Sequence, residues 1–152
     1  MYSLSGQAQT GSVPKTELMS LNGDRVGAET ILNKEGATVI SFWATWCKPC
    51  ILELNELNDL YENWNKESNV RIVAISIDDA RSSSKVPSFV NSRGWEFDIF
   101  LDVNSDFKRA LNINNIPHSL LVDKSGMIVW QHAGYVPGDE EVLYDELLKL
   151  QK

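Results

Sequence analysis

The chain contains two cysteines, Cys47 and Cys50, with Lys48 and Pro49 between them. A Cys-x-x-Cys pair can be a redox dithiol, half of a zinc site, a structural disulfide or a coincidence. Zinc takes four protein ligands in a structural site and three in a catalytic one. There is no second cysteine pair, and the histidines are His118 and His132 alone, so a dedicated zinc site has few ligands to draw on. A structural disulfide over so short a loop would remove little unfolded-chain entropy. The redox reading has the context behind it, because the pair follows an apolar run and opens an amphipathic one. At a helix start, unpaired N–H groups and the macrodipole favour negative charge. Cys47, at the very start, should have a stabilised thiolate and act as the attacking nucleophile. Cys50, one turn further in, should be more buried and act as the resolving thiol. Pro49 fits a first turn, where no N–H partner is lost. Lys48 adds a positive charge whose effect is small on an exposed, flexible side chain.

The neighbouring segments predict how this pair is held. Residues 37–44 (ATVISFWA) form a short apolar run with almost no polar break, the mark of a buried central strand. From residue 47 to about 66, Ile51, Leu54, Leu57, Leu60, Tyr61 and Trp64 recur at helical spacing, with Glu53, Glu56, Asp59 and Glu62 filling much of the other face. A second buried strand is expected over 70–77, a helix over 87–93 ended by Gly94, and a third strand over 97–101. A short helix over 106–111 would have Asp106 near its cap. Strands over 116–122 and 127–132 would flank the turn Asp123-Lys124-Ser125-Gly126. A helix over 139–150 would end the chain. Ahead of all these, residues 16–26 read as a hairpin around Asn22-Gly23-Asp24. Strands alternating with helices imply an α/β fold, one central mixed β-sheet with helices on both faces and an N-terminal hairpin.

With 152 residues, one domain is expected, and residues 16–152 are assigned to it. Residues 1–15, rich in Ser, Gly, Gln and Thr, read as a flexible N-terminal segment without a signal peptide as written. The net charge of −7 argues against nucleic acid, whose phosphates need a basic surface. No apolar run approaches a membrane span, so no membrane contact is expected.

The segment Phe42-Trp43-Ala44-Thr45-Trp46-Cys47-Lys48-Pro49-Cys50 resembles the active-site segment of thioredoxin-fold proteins, in particular the TlpA/ResA-like branch of bacterial thiol–disulfide oxidoreductases. Residues 73–78 (VAISID), 116–123 (IPHSLLVD) and 126–134 carry the same resemblance, which covers roughly residues 15–150. It implies a thioredoxin-like fold. It also implies that Pro117 follows a cis peptide bond beside the CxxC pair and that the backbone of Ile116 is offered to substrate. Trp46 would cover the cysteines and shape the substrate surface, with Lys48 and Pro49 beside it; His118 could hydrogen-bond a thiolate, contact substrate, bind a soft metal or point to solvent. Glu53 matches a glutamate that lies close to the thiols in ResA-like proteins. Partly buried, it would have a raised pKa and move a proton to or from Cys50; the bland alternative is an exposed helix glutamate. Two departures stand out. Ser41 occupies the position of an aspartate in thioredoxin itself, and His118 follows Pro117 where threonine is frequent.

The implied function is a protein-disulfide reductase in the periplasm or cell envelope, recharged by an upstream thiol protein. It would act as a monomer on protein or peptide disulfides and need no cofactor. One competing reading is a copper-handling module in which Cys47, Cys50 and His118 bind a soft ion. Another is a peroxide-reducing enzyme, although Ala44-Thr45-Trp46 lacks the Pro and Thr that peroxiredoxins place before their attacking cysteine.

Overall fold

The computed structural model describes residues 11–151. Seven strands form one mixed sheet in the order β2-β1-β5-β4-β3-β6-β7. They are β1 (Glu17–Ser20), β2 (Arg25–Gly27), β3 (Thr38–Trp43), β4 (Arg71–Ser76), β5 (Asp98–Leu101), β6 (His118–Val122) and β7 (Ile128–Ala133). Strands β3, β4 and β5 run parallel at the centre; β6 lies antiparallel to β3, and the β1–β2 hairpin closes the other side through β5. Four α-helices, α1 (Lys48–Ser68), α2 (Val86–Arg93), α3 (Asp106–Ala110) and α4 (Asp139–Lys149), connect or follow the strands.

The alternation of side chains along β3 divides the core into two. Val39 and Trp43 face a cluster with Leu54 and Leu57 of α1, Val90 of α2 and Leu147 of α4. Ile40 and Phe42 face a smaller cluster with Phe107 of α3, Ile31 and Leu18. This two-sided burial is why β3 and β4 read as nearly unbroken apolar runs. Trp43 is wholly buried, with its ring 5.1 Å from that of Trp95 and 5.7 Å from that of Phe89.

Several element ends depart from expectation for identifiable reasons. Helix α1 runs two residues past Lys66 because Asn69, in the left-handed region at φ 60°, caps it through an N–H donated to the Asn65 carbonyl. Asp106 opens α3 next to the N-cap Ser105, as expected, but a different acid serves the helix amides. The carboxylate of Asp102 takes the N–H groups of Phe107 and Lys108 at 3.1 and 2.9 Å. Strand β6 begins at His118, after Pro117, which has no N–H to give to a ladder. Residues 1–10 of the expected flexible segment lie outside the described residues. Its later part is tied down, since Ser12 bridges Met127 and Val13 donates to the Gly126 carbonyl at 3.2 Å.

Candidate active site

Strand β3 ends at Trp43 and delivers the chain to Cys47, the N-cap residue of α1, with Pro49 in the first turn. Cys47 and Cys50 are joined as a disulfide. Cys47 retains 7% of its surface and Cys50 none, so an incoming sulfur can reach only Cys47. Trp46, Lys48 and Pro49 around it are all exposed, Trp46 by 65%.

The loop before the pair is held from the next strand. Thr45 donates its N–H to Asp78 Oδ2 at 2.9 Å and its hydroxyl to Asp78 Oδ1 at 2.6 Å. Ser76, at the end of β4, donates its hydroxyl to Asp78 Oδ2 at 2.6 Å. Asp78 has no exposed surface, so these three charge-assisted donors compensate its burial. Asp78 directly follows the strand expected over 70–77. The visible signal was an acid directly after a buried strand; its partner Thr45 lies 33 residues away.

On the other side stands the first strand residue after the loop at Pro117. Because β6 is antiparallel to β3, with His118 opposite Phe42, the Ile116–Pro117 loop falls at the end of the sheet that carries the cysteines. The Ile116–Pro117 peptide bond is cis. Pro117 is buried, its carbonyl accepting from Gly134 N at 2.8 Å, and Ile116 is half-buried.

Glu53 does not sit on the polar face of α1. It is 3% exposed, whereas Leu52 beside it is 52% exposed. Cys50, Glu53, Leu54 and Leu57 form the buried stripe at i, i+3, i+4 and i+7, a spacing visible in the sequence once the helix is phased on Cys50. Burial pushes the Glu53 carboxyl up to about 7, helped by the negative charges of Asp139 and Glu140 and opposed by a hydrogen bond from Ser119 Oγ to Oε2, 3.2 Å long. Oε1 has no partner among the described residues.

His118 faces the other way. It lies across the sheet from Phe42, on the face of the smaller cluster, and its Nε2 is 2.6 Å from Gln131 Oε1. Burial holds its pKa below the ordinary value. No three His, Cys, Asp or Glu side chains among the described residues are grouped to hold a metal. The copper reading is corrected on this ground: His118 does not complete a ligand set with Cys47 and Cys50. His132 stacks on Trp130 and bonds Asp139 Oδ2 at 3.1 Å.

The AhpC/TSA family model matches residues 10–131. The chain belongs to this family. It is 31% identical over 121 residues to the thiol-disulfide oxidoreductase ResA of Bacillus thuringiensis (strain Al Hakam), covering 80% of this chain and 67% of that protein. An uncharacterized thioredoxin-like protein from Porphyromonas gingivalis superimposes with a TM-score of 0.81 at 38% identity, covering 91% of this chain and 90% of that one. A thiol-disulfide oxidoreductase from Bacteroides fragilis NCTC 9343 shares the fold with a TM-score of 0.74 at 22% identity, covering 91% and 98%. The fold is thioredoxin-like, the activity is that of a thiol–disulfide oxidoreductase, and the Cys47–Cys50 pair fits the dithiol such an activity needs.

Proposed function

We propose that the protein reduces disulfides in protein or peptide substrates through Cys47 and Cys50. The Cys47 thiolate attacks a substrate sulfur, forming a mixed disulfide and releasing one substrate thiolate. Cys50 gives up its proton, attacks Cys47 Sγ and expels the second substrate thiolate. Two electrons pass to the substrate, its two thiolates are protonated by the proton that Cys50 gave up and by one from solvent, and the enzyme is left as the disulfide. An upstream thiol protein then restores the dithiol.

The observation that carries this reading is the asymmetry of the pair. One sulfur is reachable at a helix N-cap, and the other is fully buried one helical turn from a buried carboxyl. Glu53, poised near neutral pH, suits the proton traffic of Cys50. Trp46, Lys48 and Pro49 on one side, and the loop Ile116-Pro117-His118 on the other, would bound the substrate surface, with the Ile116 backbone pairing to the substrate chain. His118 would contribute through its backbone position, since its ring faces the opposite side of the sheet. The direction of electron flow, action as a monomer and a place in the cell envelope rest on the resemblance to the TlpA/ResA-like branch. No described helix is long and apolar enough to cross a membrane.

The test is trapping. With a disulfide-bonded test protein such as insulin, Cys50→Ser should accumulate a mixed disulfide through Cys47, and Cys47→Ser should form none. Equal trapping by both variants would overturn the division of roles, and no trapping by either would overturn the exchange mechanism.

A further inference from the structure

The row of side chains beneath Glu53 breaks the pattern of the core. On the face of β3 and β6 that receives α1, Val39, Trp43 and Leu121 are apolar, but between them stand Ser41 and Ser119, directly opposite each other. Both are buried, Ser41 completely. A buried hydroxyl without a partner costs about 1–3 kcal/mol, and Ser41 Oγ has none among the described residues. Such a breach of the apolar pattern is what functional or strained positions show. Ser119 Oγ donates to Glu53 Oε2, which leaves Oε1 as the unpartnered oxygen.

We propose that Ser119 is the positioning residue for Glu53: its hydroxyl engages Oε2 and leaves Oε1 as the oxygen that takes the proton of Cys50. The proposal rests on the reading of Glu53 as the proton acceptor given above. In the step concerned, the Cys50 S–H bond breaks, its proton goes to Glu53 Oε1, and its electron pair forms the bond to Cys47 Sγ as the substrate sulfur leaves. The charged and titratable groups around Glu53 come from every neighbouring element. Asp139 and Glu140 lie at the start of α4, Tyr135 in the loop before it, Glu56 on α1, and His132 on β7 opposite Ser119. Tyr135 donates to Glu140 at 2.7 Å and His132 bonds Asp139. Ser119 is therefore the only group among the described residues that hydrogen-bonds the Glu53 carboxyl directly.

The hydroxyl of Ser119 also favours the ionised carboxylate, so its loss should make Glu53 a weaker acid. The experiment follows the rate of mixed-disulfide resolution against pH in the full chain, for the wild type, Ser119→Ala, Ser119→Thr and Glu53→Gln. Ser119→Ala should move the rising limb near pH 7 upward by about half to one pH unit. Ser119→Thr, which keeps the hydroxyl, should return it to the wild-type position, and Glu53→Gln should abolish the limb. A limb unmoved in Ser119→Ala but absent in Glu53→Gln would overturn the proposal and leave the Glu53 reading standing. A shift in Ser119→Ala that Ser119→Thr does not reverse would also overturn it, because the hydroxyl would not be the cause. A limb unchanged in Glu53→Gln would overturn both.

Discussion

Asp78 and Glu53 are both buried acids flanking the same stretch of chain, yet their surroundings differ in kind. Asp78 receives three donors, two from Thr45 and one from Ser76, and fastens the loop that leads to Cys47. Glu53 receives one, from Ser119, and keeps an oxygen unpartnered. A carboxylate whose oxygens are all engaged by donors holds the segments that supply them. An under-served one holds its proton to higher pH and can give or take it under working conditions. The number of donors, more than the depth of burial, separates a clasp from a proton carrier.

The largest effect that could break this comparison is at the clasp. Asp78→Asn replaces an acceptor oxygen with an amide donor facing two donors already there. It should destabilise the fold by about 3 kcal/mol, read as a lower urea midpoint. A variant as stable as the wild type would mean that Asp78 is not a clasp.

Glu53→Gln should have an effect that depends on pH. The Glu53 pKa rises from 4.5 in the free side chain to about 7 in the fold, so the folded state holds this proton more tightly than the unfolded one. Its favourable contribution is complete below about pH 4.5 and is lost as pH rises through about 7. Removing the titration should therefore raise the stability of the variant relative to wild type by about 3 kcal/mol between pH 5 and pH 9. Urea unfolding of the oxidised proteins at the two pH values measures it. A difference that stays constant across that range would show that Glu53 carries no such proton.

The smallest effect sharpens the clasp. Thr45→Val removes the hydroxyl donor but keeps the backbone N–H bond to Asp78. It should cost about 1–2 kcal/mol. A cost equal to that of Asp78→Asn would show that the hydroxyl alone carries the contact.

Much of this was legible in the sequence where burial is simple. Residues 38–43 and 71–76 lie inside a sheet covered on both faces, so their apolar runs announce strands. The helix after Cys47 was legible from its spacing, and so was the asymmetry of the two cysteines. What was not legible depends on partners distant in sequence. Glu53 and Ser119 are 66 residues apart, and Thr45 and Asp78 are 33 apart. Charge alone assigned Glu53 to the polar face of α1, while its phase relative to Cys50 put it inside. Asp106 stands next to the N-cap as its position suggested, but the carboxylate that reaches the amides is that of Asp102, ahead of the turn at Ser105. Resemblance fixed attention on Pro117 and the cysteines; the hydroxyls of Ser41 and Ser119 emerged only from strand register.

The central claim is that the redox pair and Glu53 exchange a proton. The most direct test is the reduction potential of Cys47–Cys50 measured from pH 5 to pH 9 in the wild type and in Glu53→Gln. A potential near the reducing end of the CxxC range, about −270 mV at pH 7, is expected. A change of slope near pH 7 should appear in the wild type and disappear in Glu53→Gln. Identical pH dependence in the two proteins, or a potential near the oxidising end at about −120 mV, would contradict these expectations.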